Sequence, residues 1–127
     1  MVSNITEVFV SFEIAKLLKS KGFICSCEYY YDCDGRRRLA GEEYEPVADA
    51  PTIAMAMRWL REEHNKHCDI SFDIELCWYF QIIDLIKIVE DLDYPEMKIY
   101  HGDNDCGFQS YEDTAEMAIK YCLENLI

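Results

Sequence analysis

Apolar residues recur every three or four positions in three segments of the chain, which is the spacing of one face of an α-helix. The first segment runs from Ser11 to Lys21, the second from Thr52 to about Asn65, and the third from Ser110 to the last residue. Ser11, Thr52 and Ser110 suit the starts of these helices because a hydroxyl accepts a hydrogen bond from a free amide of the first turn. In the third helix we expect a buried stripe of Tyr111, Ala115, Ala118, Ile119, Cys122 and Leu126.

Alternation of apolar and polar residues predicts strands in other segments. Cys27–Tyr31 and Arg37–Ala40 are predicted to form a hairpin, because the Asp-Gly pair between them is typical of a tight turn. Cys68–Ile74 is predicted to place Ile70, Phe72 and Ile74 on one face and Asp69, Ser71 and Asp73 on the other. Leu76 to about Leu85 is the next predicted strand, and Met97–Tyr100 is a further candidate.

The predicted elements follow in the order α-β-β-α-β-β-(β)-α, with 41–50 as a polar surface loop. We therefore expect an α+β protein in which about three helices pack on one antiparallel sheet of about four to five strands. No repeat or long linker interrupts the 127 residues, so residues 1–127 are predicted to form one domain.

Composition and charge limit the function. Half of the residues are hydrophobic, and the formal net charge is −13. Such a charge disfavours binding to bare nucleic acid or to an anionic membrane surface. The longest apolar stretch, Leu76–Val89, contains charged residues and is too short to span a bilayer. Because the first ten residues lack the pattern of a signal peptide, we expect a cytoplasmic protein with no membrane partner.

Seven cysteines are present, and in a reducing cytoplasm we expect all of them to be free thiols. Two groups could supply zinc ligands: Cys25, Cys27 and Cys33, and His64, His67 and Cys68. No pair has the Cys-x-x-Cys spacing, so the prediction is that no metal or other cofactor is bound. A small zinc or thiol protein is retained as an alternative, with these residues as its weak metal-site candidates.

The only basic cluster consists of Arg36, Arg37 and Arg38, and it lies near Tyr29 and Tyr31. Guanidinium groups bind phosphate or carboxylate oxygens, so these five residues are candidates for binding a ligand or a partner. A pocket that combined them would suit a nucleotide-signal sponge, which is one alternative function.

Negative charge is concentrated in the C-terminal part, where residues 90–127 carry ten acidic and two basic residues. Asp103, Asp105, Glu112, Asp113 and Glu116 are therefore candidates for contacting a basic partner. Mimicry of nucleic-acid phosphates is an alternative use of the same charge. Within this region, Glu116 is also expected to pair with Lys120 one helical turn later.

Four blocks of the chain resemble a set of short proteins of Bacteroidetes genomes, phages and prophages to which no activity is assigned. The blocks are Val10–Leu18 with Lys21-Gly22-Phe23, Tyr29-Tyr30-Tyr31 before Asp34-Gly35, Ala50-Pro51-Thr52 leading to Trp59-Leu60-Arg61-Glu62, and Tyr111-Glu112 leading to Ala118–Glu124. The resemblance covers nearly the whole chain and implies a phage or mobile-element origin and a bacterial host cytoplasm. It supplies no catalytic residue.

The sequence contains no nucleophile elbow and no phosphate-binding glycine loop. We therefore expect a non-enzymatic accessory protein of phage or prophage type that binds a host or phage protein. The binding surface is expected to be the acidic C-terminal face or exposed aromatic residues. A counter-defence role, as a nucleotide sponge or a nucleic-acid mimic, is the main alternative.

Overall fold

The computed structural model describes residues 7–86, 99–101 and 108–127. In that part the elements are α1 (Phe12–Ser20), β1 (Tyr29–Tyr31), β2 (Arg37–Leu39), β3 (Ala48–Asp49), α2 (Ile53–His64), β4 (Lys66–Asp73), β5 (Cys77–Asp84), β6 (Ile99–His101) and α3 (Tyr111–Asn125). The predicted α+β class is confirmed, and the elements follow the predicted order with β3 added.

The strands divide between two antiparallel three-stranded sheets, whereas one sheet was predicted. The first sheet has the order β2-β1-β3, and the second has the order β4-β5-β6. Strand β3 lies inside the segment that was predicted to be a polar loop, and it pairs Ala48 with Tyr31. The loop before β3 is held by Tyr30, whose hydroxyl donates to the carbonyls of Glu42 and Tyr44 at 3.0 and 3.1 Å.

The first helix begins and ends as the sequence predicts. The Ser11 hydroxyl accepts a hydrogen bond from the Ile14 amide at 3.3 Å. At the other end, Gly22 has a φ of 90°, a conformation that glycine adopts without steric cost. The Phe23 amide then donates to the carbonyl of Leu18 at 3.0 Å, and the Phe23 ring is buried with its centroid 5.4 Å from that of Trp59.

The second helix is held at its start by the N-terminal segment. The Thr52 hydroxyl accepts from the Met55 amide at 3.1 Å, as predicted for a cap. The Val10 amide donates to the Pro51 carbonyl at 3.0 Å, and the Ile53 amide donates to the carbonyl of Val8 at 2.9 Å. Strand β4 follows the helix after a single left-handed residue, Asn65.

The third helix is capped by Ser110, whose hydroxyl accepts from the Asp113 amide at 3.0 Å. Its buried residues are Thr114, Ala115, Ala118, Ile119, Cys122 and Leu123. Tyr111 and Leu126, which were predicted to be buried, are exposed because they lie in the first turn and after the last turn. Thr114 is also buried, and its hydroxyl keeps a hydrogen-bond partner because it donates to the Ser110 carbonyl at 2.6 Å.

A single cluster of buried side chains joins the elements. It includes Leu18 of α1, Tyr31 of β1, Leu60 of α2, Phe80 of β5 and Ile119 of α3. On the helix-facing side of the second sheet, Phe80 stacks on Tyr100 with ring centroids 5.0 Å apart. Helices α2 and α3 cover only part of this sheet, because Phe80 is buried whereas Phe72 and Ile74 at the β4–β5 turn are exposed.

Candidate binding surface

The end of the β4–β5 hairpin carries large apolar side chains that the helices do not cover. Phe72 and Trp78 are paired across the two strands, with ring centroids 5.3 Å apart in an edge-to-face arrangement. Phe72 is 59% exposed, and Ile74, in the turn just beyond it, is 92% exposed. The sequence predicted that both share the apolar face of the strand with Ile70. Ile70 packs against the core, whereas Phe72 and Ile74 are exposed because the apolar alternation continues past the point where helix cover ends.

The first turn of α3 extends this surface. The Ser110 cap sets the position of Tyr111, whose ring lies 5.9 Å from that of Trp78. Tyr111 is 41% exposed. Phe72, Ile74, Trp78 and Tyr111 together are called the aromatic patch below. Aromatic side chains exposed in this way are typical anchors of protein interfaces because they bury much area and lose little conformational entropy.

Acidic residues flank the aromatic patch in both elements. Asp73 ends β4 and Glu75 lies in the turn that follows, while Glu112 and Asp113 come directly after Tyr111 in the sequence; all four are exposed. One oxygen of Asp73 accepts from the amides of Glu75 and Leu76 at 2.8 and 3.3 Å, which orders the turn. These four residues are called the acidic rim below. They give the patch a negative border that attracts a basic partner.

A groove of about 350 Å³ opens beside the patch, between the first turns of α2 and α3. Its walls are largely apolar, from Val8, Ala54, Met57 and the ring of Tyr111. Glu7, Glu112 and Arg61 are its charged lining residues. Tyr111 belongs to both the groove and the aromatic patch, so the two surfaces meet at this residue.

A second groove, of about 420 Å³, lies between the end of α1 and the segment before β3. Lys19 lines it, but the lysine ammonium already donates to the Val47 carbonyl at 2.6 Å. Neither groove is lined by Arg36, Arg37 or Arg38. The pocket that the nucleotide-sponge alternative requires is therefore not formed by either groove.

The three arginines are held in different ways. Arg38 donates to the buried carboxylate of Asp32 at 2.8 Å, and its guanidinium lies 3.8 Å from the Tyr44 ring centroid. Arg37 is exposed, like Arg36, and its guanidinium lies over the ring of Phe9, 4.0 Å from the centroid. Two of the three predicted ligand-binding guanidinium groups thus already contact other side chains of the chain.

The two candidate tyrosines of β1 are largely covered. Tyr29 is half-buried against Phe9, with ring centroids 5.0 Å apart. Tyr31 is buried, and its hydroxyl donates to the carbonyl of Val10. Burial raises the pKa of Tyr31 above its usual value, so the hydroxyl stays protonated. These residues support the first sheet and do not form an exposed ring surface.

The cysteine prediction needs one correction. Cys25 and Cys27 form a disulfide, with Cα atoms 5.7 Å apart, so not all of the thiols are free. Although only one residue separates the two cysteines in sequence, their Cα–Cα distance lies within the usual range for a disulfide. Cys33 is an exposed free thiol, whereas Cys68 is buried with its sulfur 3.9 Å from that of Cys122. The hydrogen bond with Cys122, together with burial, raises the pKa of Cys68 and disfavours its thiolate.

The candidate zinc ligands are not brought together. His64 packs on Trp59 with ring centroids 4.5 Å apart, and His67 lies opposite Ile83 in the second sheet. Within residues 7–86, 99–101 and 108–127, no three His, Cys, Asp or Glu side chains are grouped as metal ligands.

The acidic candidates of the C-terminal part divide into three groups. Glu112 and Asp113 belong to the acidic rim, whereas Asp103 and Asp105 lie outside the described residues. Glu116 is half-buried, and its carboxylate accepts from the Ser11 amide at 2.5 Å, which ties α3 to the start of α1. The expected Glu116–Lys120 pair is replaced, because the Lys120 ammonium lies 3.2 Å from Glu13 and 4.0 Å from Glu124.

The sequence indicated exposed aromatic residues as a possible binding surface but placed Tyr111 in a buried stripe, and it did not predict the groove. One signal was present for the hairpin end: Phe72 and Ile74 flank Asp73 and precede Glu75, a polar context that is typical of a turn. The groove depends on how α2 and α3 diverge, which no local pattern encodes.

Comparisons with family models, curated proteins and solved structures gave no match to this chain. Among the helices of the described residues, none has the length and apolar character needed to cross a bilayer.

Proposed function

We propose that this protein is a non-enzymatic binding module that engages a protein partner through the aromatic patch and the acidic rim. The observation that carries the proposal is the exposure of Phe72 and Tyr111, whose rings both pack against Trp78, together with that of Ile74 in the adjoining turn. Solvent exposure of several large apolar side chains in one place is costly in water, and such patches on soluble proteins commonly mark interaction sites.

The charge of the chain favours a protein partner over a nucleic acid. A net charge of −13 repels phosphate backbones, while the acidic rim attracts lysine and arginine side chains. With the resemblance to proteins of Bacteroidetes phages and prophages, we extend the proposal to an accessory protein that acts on a host or phage protein in the bacterial cytoplasm.

Affinity enrichment from a Bacteroidetes lysate tests this proposal with a matched pair of variants. The patch variant carries Phe72→Ser and Ile74→Ser, and the control carries Ile24→Ser and Leu39→Ser. The control residues are also exposed, Ile24 at 87%, but they lie outside the patch. Burying a large apolar side chain contributes about 1.5–3 kcal/mol, so the patch variant should lose the partner.

The result expected is a protein enriched by the wild-type chain and by the control, and depleted at least about tenfold on the patch variant. Quantitative mass spectrometry of the bound fractions provides the measurement. Equal enrichment on all three baits, or loss on the control alone, would show that the patch is not the binding surface.

A further inference from the structure

The groove beside Tyr111 has the size and lining of a site for apolar side chains. Its volume of about 350 Å³ corresponds to about a dozen water molecules at liquid density, enough for one or two large side chains. Val8 and Met57 provide apolar walls, and Ala54 leaves the groove open because its side chain is only a methyl group. An apolar side chain that enters would displace water from surfaces that water solvates poorly.

The charges around the groove select the segment that would carry this side chain. Glu7 and Glu112 are exposed at the lining, and Arg61 is half-buried there. Within the described part of the chain, no ion pair joins Arg61 to a carboxylate. The groove lining therefore carries two negative charges and one positive charge, a net charge of −1, and the exposed Asp113 next to Glu112 makes this end of α3 more negative toward an incoming partner.

We propose that the groove receives an apolar side chain from a positively charged segment of the partner protein. The lysine or arginine residues of that segment lie against Glu7, Glu112 and the acidic rim. This inference rests on the proposed function and adds the chemistry of the partner. A second copy of the chain is a poorer occupant, because two molecules of charge −13 repel each other.

A displayed library of random 12-residue peptides, selected against the full chain, tests the inference. The expected consensus contains one or two large apolar residues together with lysine or arginine. Binding of the selected peptides should weaken steeply from about 0.1 M to about 1 M salt, over which the Debye length falls from about 10 Å to about 3 Å.

Two variants, each with a matched control, locate the binding site of the selected peptides. Ala54→Trp fills the groove from an exposed helix position and should weaken binding at least about tenfold, whereas Ala54→Ser should leave it unchanged. Glu112→Lys should weaken binding by removing one attraction and adding a repulsion. Glu43→Lys makes the same charge change at an exposed position of the distant loop before β3, and it should have little effect.

Several outcomes would overturn the inference. They are a library without enrichment, a consensus that is acidic or uncharged, or peptide binding that Ala54→Trp leaves intact. Self-association of the wild-type chain that Ala54→Trp abolishes, measured by sedimentation velocity, would assign the groove to a second copy. If the lysate partner requires Phe72 and Ile74 but binds the Ala54→Trp chain normally, the proposed function stands and the inference fails.

Discussion

Asp32 organises the turn between β1 and β2 from a buried position. One carboxylate oxygen accepts from the amides of Asp34 and Arg36 at 2.9 and 3.0 Å, and the other accepts from Arg38 at 2.8 Å. The hydrogen bond from Arg38, followed by that from the Arg36 amide, lowers the pKa of Asp32 below its ordinary value of 3.8. The folded state therefore favours the ionised carboxylate, which stabilises the fold wherever Asp32 would be ionised in the unfolded chain.

Asp32→Asn should lower the free energy of unfolding at neutral pH, because the amide cannot pair with the Arg38 charge. The difference from the wild type should be largest above about pH 4 and should shrink as the pH falls through the lowered pKa of Asp32, where the wild type also loses its charge. Urea unfolding across this pH range measures the effect. Asp34→Asn, an exposed change in the same turn, is the control and should show no such pH dependence.

The disulfide between Cys25 and Cys27 closes a loop of three residues. In the chain-entropy model, so small a loop restricts the unfolded chain little and accounts for only about 1–2 kcal/mol of stability. Reduction with a dithiol should therefore leave the protein folded, with a small decrease in the midpoint of thermal unfolding. A chain carrying Cys25→Ser should have the same midpoint of thermal unfolding as the reduced wild type. Unfolding of the wild type on reduction would show that the disulfide stabilises the fold more than this prediction allows.

Single residues also show where sequence reasoning reaches its limit. The Asp-Gly turn was predicted correctly, because Gly35 has the positive φ of 75° that the turn requires. The pairing of Arg38 with Asp32 was not predicted, since it depends on a register of two strands that the sequence leaves open. The same applies to Lys120, whose partner Glu13 comes from another helix.

Helix caps are the elements' most predictable feature, because each cap depends on residues that are adjacent in sequence. Ser11, Thr52 and Ser110 all accept the expected amide hydrogen bond. The partition of strands into sheets is different, since it depends on long-range pairing. Strand β3 has only two residues and no alternating pattern, yet it completes the first sheet beside β1.

The cap of α3 should matter for stability and also for the binding surface, because it fixes the first turn that carries Tyr111. Ser110→Ala should reduce the free energy of unfolding by about 1 kcal/mol. Ser110→Asp should restore most of this loss, since a carboxylate accepts the same amide hydrogen bond and suits a helix N-terminus. Chemical denaturation compares the three chains. An alanine variant as stable as the wild type would show that the cap contributes nothing measurable.

At the scale of the whole molecule, large apolar residues form both the core and an exposed surface. Phe80 and Ile119 complete the core under the helices, whereas Phe72 and Ile74 continue the hairpin beyond that cover. The sequence predicted only that Phe72 and Ile74 share a face with Ile70, because alternation alone does not reveal where a covering helix ends. The binding surface could therefore be found only once the second sheet and α3 were placed against each other.

Site-specific photo-crosslinking in cells tests most directly whether this end of the molecule binds a protein. A photoreactive phenylalanine analogue would replace Ile74 in one chain and Ile24 in another, both being strongly exposed positions that should accept the change. The account predicts a discrete crosslinked partner from position 74 and none from position 24. No crosslink at position 74, or the same partner from both positions, would contradict it.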